Sequence, residues 1–234
     1  MFVSAPFTAN LAEVSIEDRR LRAVADTLGR QSYDADRSRG FDIQKVESDR
    51  LSAHLLRSET VDVQQYDEAT GELTDAAVET VAQIPFRLDF DRGLLEVFSN
   101  GRDTSRVLDA LEDAVELQNA PRHAELDLAE VYQTLQEGEF DVSVTGLQVR
   151  NVSVDEHTSG SYRLSVADDA QAESHLAEYA GDVAYLGTTV AGPEGPVAVG
   201  FYDSGSIRAF SADAANVWES IKNRVADGSG MNLD

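Results

Sequence analysis

The chain has 234 residues and a formal net charge of −24, from 43 acidic and 19 basic side chains. Its 42% hydrophobic residues are enough for a folded core, which argues against a disordered acidic tail. It has no cysteine, which excludes disulfides and thiolate chemistry. No apolar run approaches the roughly 18 residues of a membrane span, and residues 1–14 lack the features of a signal peptide, so we expect a cytoplasmic protein without membrane contact.

The first third of the chain predicts one helix followed by strands. Apolar residues at helical spacing, Leu21, Val24 and Leu28, indicate a helix that ends near Arg30. The predicted elements are a short apolar arm at 1–14, a helix at 15–30, a loop at 31–40, strands at 41–47, 51–57 and 61–66, a turn at 67–71 and a short helix at 73–82.

A clear period-2 strand follows, in which Phe86, Leu88 and Phe90 alternate with polar residues before a turn at 91–93. This alternation predicts a hairpin into the strand that begins at Leu94. The later predicted elements are helices at 104–118 and 125–136, strands at 140–144, 147–154 and 161–166, a helix at 169–180, strands at 183–190, 196–202 and 206–210, and a helix at 213–226 before a frayed tail.

The sequence at 91–99, DRGLLEVFS, matches DSGSIRAFS at 203–211 without a gap. Each copy predicts a strand, a tight turn, a strand and an amphipathic helix, with Gly93 and Gly205 where the turn needs positive φ. An internal duplication is one explanation, and a coincidental hairpin and helix motif is the other.

We therefore predict an α+β protein with two similar lobes of antiparallel sheet, each with helices packed on one face. The predicted units are an N-terminal arm and helix at 1–40, a first lobe at 41–120, a connecting helix at 121–138, a second lobe at 139–226 and a disordered tail at 227–234.

The basic residues are unusual because Lys45 and Lys222 are the only lysines and the rest are arginine. In dilute buffer such an excess of negative charge opposes folding, whereas at molar salt a Debye length of about 3 Å screens it. The composition resembles that of cytoplasmic proteins from extreme halophiles. A merely acidic mesophile protein is the alternative, but it would not usually discard lysine. We expect the net charge to reflect the solvent, so it says little about partners.

The charge is unevenly distributed, because residues 1–57 hold nine basic and nine acidic side chains. Against the acidic remainder this third is relatively positive. Its candidate contacts for nucleic acid or a protein partner are Arg19, Arg22, Arg30, Arg37 and Arg39. The alternative is a salt-bridged solvent face, since Arg22, Asp26 and Arg30 have i,i+4 spacing.

No motif for catalysis or cofactor binding is present. The histidines at 54, 123, 157 and 175 stand apart, and His175, one turn before Tyr179, is typical of a half-buried structural side chain. Asp155, Glu156 and His157 indicate a solvated loop, and a cation site is the alternative. With 43 carboxylates, chance supplies every spacing of a carboxylate site. We expect no catalytic residue, cofactor or metal.

Three functions stay open. We expect a non-enzymatic protein–protein adaptor or structural subunit of a cytoplasmic complex, which docks through its N-terminal apolar arm and first helix. The first alternative is a nucleic-acid-binding regulatory protein that uses the charge-balanced N-terminal third. The second is an enzyme with unrecognised carboxylate chemistry. The oligomeric state is left open.

Overall fold

The computed structural model describes residues 6–16, 21–67, 71–138, 140–155, 158–192, 195–211 and 214–228. These form one antiparallel sheet and five α-helices. The strands are β1 (Phe7–Glu13), β2 (Arg39–Val46), β3 (Arg50–Asp67), β4 (Glu72–Asp89), β5 (Leu94–Val97), β6 (Arg122–His123), β7 (Val142–Asp155), β8 (Thr158–Ser165), β9 (Val183–Gly192), β10 (Gly195–Tyr202) and β11 (Ser206–Ala209). The helices are α1 (Leu21–Arg30), α2 (Gly101–Ala114), α3 (Leu128–Gln136), α4 (Asp169–Glu178) and α5 (Ala214–Gly228), with a 3₁₀ turn at Ala35–Arg37.

All eleven strands belong to a single sheet. Its order is β2-β3-β4-β5-β1-β11-β10-β9-β7-β8, with β6 paired to the end of β1. The α+β class with antiparallel pairing is confirmed. The two predicted lobes, however, share one continuous sheet instead of forming a sheet each, because β1 pairs with β5 on one side and β11 on the other.

The helices of the two halves lie on opposite faces of this sheet. Successive residues of a strand point to opposite faces, and in β5 Leu95 belongs to a core with α1 and α2, while Leu94 belongs to a core with α3, α4 and α5. In β1, Leu11 joins the second core and Ala12 the first. Each half therefore has one sheet face that its own helices leave uncovered.

The N-terminal segment does not form the separate apolar arm that the sequence predicts. Phe7–Glu13 form β1, the strand in the middle of the sheet, where Ala9, Leu11 and Ala12 are fully buried. The segment is apolar because it contributes side chains to both cores. The buried side chains of this strand are therefore not free to dock on a partner. The first helix is described from Leu21 onward, and its apolar face packs in the first core; residues 17–20 lie outside the described part.

The predicted helix at 73–82 is wrong. These residues are part of β4, which pairs with β3 without interruption from Arg50 opposite Asp89 to Asp67 opposite Glu72. Alanine and glutamate favour a helix here, but long-range pairing overrides that weak preference. The same pairing joins the runs predicted at 51–57 and 61–66 into one strand.

The two hairpin-and-helix units flank β1 at corresponding positions, as β4-β5-α2 and β10-β11-α5. Both turn glycines have positive φ, +58° at Gly93 and +77° at Gly205. Their common origin by duplication stays a prediction. Most of the predicted tail lies outside the described residues, since α5 reaches Gly228. None of the helices in the described ranges is long and apolar enough to cross a membrane.

The turn glycines give a matched pair of substitutions. A β-carbon at Gly205 would overlap the carbonyl oxygen of Ala124, whereas at Gly93 it would lie 3.1 Å from the carbonyl oxygen of Val14. Alanine in the left-handed conformation costs about 1–2 kcal/mol at either site. We expect Gly205→Ala to lower the free energy of unfolding by more than Gly93→Ala, measured by urea unfolding in molar KCl. Equal losses would contradict the backbone packing described at Gly205.

Candidate partner-binding site

A two-stranded hairpin arm projects from the first half of the sheet. We define it as residues 58–67 of β3 and 72–81 of β4, which pair from Ser58 opposite Val81 to Asp67 opposite Glu72. The ladder of β2 on β3 ends at Arg57, and that of β5 on β4 begins at Phe86, so no other described strand pairs with the arm. At about 3.3 Å per residue its ten paired positions span roughly 33 Å.

The arm presents apolar side chains to solvent. It carries six of the nine exposed large hydrophobic residues in the described part of the chain: Val61, Val63, Tyr66, Leu73, Val78 and Val81. Two of these, Tyr66 and Leu73, are 60% and 63% exposed. They lie directly opposite each other across the hairpin, and so do Val61 and Val78 on the other face.

The arm is also acidic and carries no basic side chain. Its acidic residues are Glu59, Asp62, Asp67, Glu72, Asp75 and Glu79. Isolated two-stranded hairpins are only marginally stable in water, and clustered exposed apolar side chains mark interaction surfaces. An arm with both properties has the features of a segment that is stabilised when a partner covers it.

A second notable group of polar side chains is buried between the halves. The Glu96 carboxylate accepts hydrogen bonds from Trp218 Nε1 at 2.9 Å and from Lys222 Nζ at 2.9 Å. Both Glu96 and Lys222 are fully buried. They connect β5 of the first half to α5 of the second, on the face that α1 and α2 leave uncovered.

Around this pair, Glu219 of α5 contacts two arginines of the first half. Arg50 Nη1 lies 2.7 Å from the Glu219 carboxylate, and Arg87 also pairs with it. Burial alone would raise the pKa of Glu219, but Lys222, Arg87 and Arg50 outweigh burial, so its pKa lies below the ordinary value. We call Glu96, Lys222, Trp218, Glu219, Arg87 and Arg50 the junction cluster. These contacts hold α5 to the sheet, and the central pair of Glu96 and Lys222 has no solvent access.

The fold places only two of the arginines predicted to contact nucleic acid or a partner next to each other. Arg37 and Arg39 are exposed and line one small cavity, but Arg39 is already paired with Asp113 of α2. Arg22 and Arg30 are exposed on α1. Arg19 lies outside the described residues.

The Arg22, Asp26 and Arg30 spacing indicated ion pairs along α1. The Arg30 guanidinium donates a hydrogen bond to the Thr27 hydroxyl at 3.0 Å, and the ion pairs with Asp26 stay a prediction. The role of these arginines in binding stays a prediction.

Two of the histidines contact nearby side chains, and only the contact of His175 with Tyr179, one turn away, is evident from sequence spacing. His123 Nε2 lies 3.1 Å from the Ser105 hydroxyl, with both residues exposed on the surface. His175 is partly buried, with its ring stacked on Tyr179 at 6.3 Å between centroids. Glu156 and His157 lie outside the described residues. Within the described ranges no three His, Asp or Glu side chains converge as metal ligands.

The junction cluster predicts strong coupling between Glu96 and Lys222. Lys222→Met should lower the free energy of unfolding by about 3 kcal/mol, because it removes the cation hydrogen-bonded to the buried Glu96 carboxylate and leaves Arg87 at 3.8 Å. Adding Glu96→Gln removes that charge and keeps an acceptor for Trp218, so the double variant should be more stable than Lys222→Met alone. Urea unfolding of the four proteins in molar KCl measures the coupling; strictly additive losses would contradict it.

No protein-family model matches this chain, and a search of curated proteins finds no significant match.

Proposed function

We propose that the protein is a non-enzymatic adaptor or structural subunit of a cytoplasmic complex in an extreme halophile, and that it docks on its protein partner through the hairpin arm. The observation that carries the proposal is the concentration of exposed apolar side chains on this arm, six of nine in the described residues. In a chain whose surface is otherwise rich in carboxylates, such a segment is the best candidate for apolar contact.

The geometry of the arm suits protein binding in two ways. No described strand pairs with its outer edges, so a partner strand can extend them. Its two faces differ, since Val61 and Val78 lie on one and Tyr66 and Leu73 on the other. At molar salt the repulsion between its carboxylates is screened, whereas apolar burial is retained.

The arm can be removed without entering the core. Arg57 and Ala82 are directly opposite each other at its base, so an Asn-Gly pair can join them as a two-residue hairpin turn. We expect this shortened protein to fold with nearly unchanged unfolding midpoint and to lose the partner. The measurement is affinity purification of both proteins from native cells in molar KCl, followed by mass spectrometry.

A matched pair of variants separates apolar contact from charge. Val61→Ser with Val78→Ser should reduce recovery of the partner, while Glu59→Gln with Glu79→Gln should preserve it. Recovery of the same proteins by the full and shortened chains would refute docking through the arm. A dimeric mass by light scattering that becomes monomeric on shortening would replace the adaptor with self-association.

A further inference from the structure

The uncovered face of the second half carries an ordered set of aromatic and basic side chains. Paired residues on neighbouring antiparallel strands share a face. The register aligns Arg163 with Gln148, Gln148 with Tyr185, and Tyr185 with Tyr202, across β8, β7, β9 and β10. This row lies on the face opposite to α3, α4 and α5.

The next row along the strands is made mostly of glycine. It contains Gly146, Gly187 and Gly200, followed by Arg208 on β11. The Tyr185 ring lies over Gly187 and Gly200, because a β-carbon at Gly200 would come 2.6 Å from Tyr185 Cε2. The ring is therefore held against the sheet, and the Tyr185 and Tyr202 centroids are 4.9 Å apart.

The charge of this face contrasts with that of the whole protein. Arg163 and Arg208 are exposed, and Arg208 also lies 5.1 Å from the centre of the exposed Phe210 ring. No Asp or Glu occupies the row through Tyr202, the row through Gly200 or the row that pairs Thr189 with Ala198.

One carboxylate next to this face, that of Asp203, is already paired. Asp203 follows Tyr202 in the sequence, and Arg150 forms an ion pair with it. We name the set Tyr185, Tyr202, Arg163, Arg208 and Gln148 the tyrosine–arginine face.

We propose that the tyrosine–arginine face binds single-stranded nucleic acid, with bases stacked on Tyr185 and Tyr202 and phosphates contacted by Arg163 and Arg208. Aromatic rings on an open sheet stack unpaired bases, and a guanidinium matches the geometry of a phosphate. A chain of charge −24 repels a polyanion over most of its surface, so a face without carboxylates is where such a ligand can approach.

Stacking on the two tyrosines makes the proposed binding specific for single strands. A duplex keeps its base faces stacked inside, so only unpaired bases can lie on the rings. Stacking is also less sensitive to salt than phosphate contact, which weakens as counterions are added. The site uses residues outside the hairpin arm, so the failure of one proposal leaves the other standing.

The test is fluorescence anisotropy of the full chain with a labelled thymidine oligonucleotide of about 12 nucleotides, in KCl from molar concentration downward. Tyr202→Ala should weaken binding about tenfold, and Tyr202→Phe, which keeps the ring, should restore most of it. Arg163→Ala with Arg208→Ala should reduce the magnitude of the slope of log affinity against log salt by about 1.4, because each of the two phosphate contacts contributes about 0.7.

A control removes the same charge elsewhere. Arg122→Ala with Arg224→Ala takes two exposed arginines from β6 and α5 and should leave the slope unchanged. Unfolding midpoints check that every variant is folded. Absence of binding, equal affinity for a duplex of the same length, or an equal loss in the control would overturn the proposal. If Arg22→Ala with Arg30→Ala reduces the salt dependence of binding and Arg163→Ala with Arg208→Ala does not, the binding site lies on α1.

Discussion

The fold depends on β1, which lies between two half-sheets and supplies side chains to two cores on opposite faces. Its residues alternate between these cores, with Ala9 and Leu11 in one and Ala12 in the other. Because the helix layers are offset to opposite faces, each half is left with an uncovered sheet face. In the first half, α5 of the second half covers part of the uncovered face and is held there by the junction cluster. In the second half, the tyrosine–arginine face stays open.

The two surfaces proposed to recognise other molecules differ in their content of carboxylates. Most carboxylates keep the exterior hydrated at high salt, in our interpretation, and carry no specificity. The hairpin arm combines carboxylates with exposed apolar side chains, which suits a protein partner. The tyrosine–arginine face lacks carboxylates in its strand rows, which suits a polyanion. Two surfaces of different chemistry would let one chain join a protein to a nucleic acid strand.

The sequence predicted the elements with strong local signals and failed where pairing is long-range. The alternation around Phe86 and Leu88 and the helices at α2 and α5 follow from local periodicity. The strand at 73–82 could not be recognised, because its alanine-rich composition favours a helix and only its ladder with β3 makes it a strand. The tyrosine–arginine face joins residues from strands separated along the chain, so no spacing could reveal it. Lys222 did offer a signal, since a lysine retained in a chain with only two points to a special environment.

The central claim is that β1 makes the two halves one cooperative sheet. Hydrogen exchange of the intact protein in molar KCl, read amide by amide, tests it most directly. We predict that the amides from Ala9 to Ala12 exchange as slowly as the slowest amides of β4 and β10, because opening β1 requires the loss of both cores. Rapid exchange in β1 while β4 and β10 stay protected would contradict the account, since the halves would then be separate units.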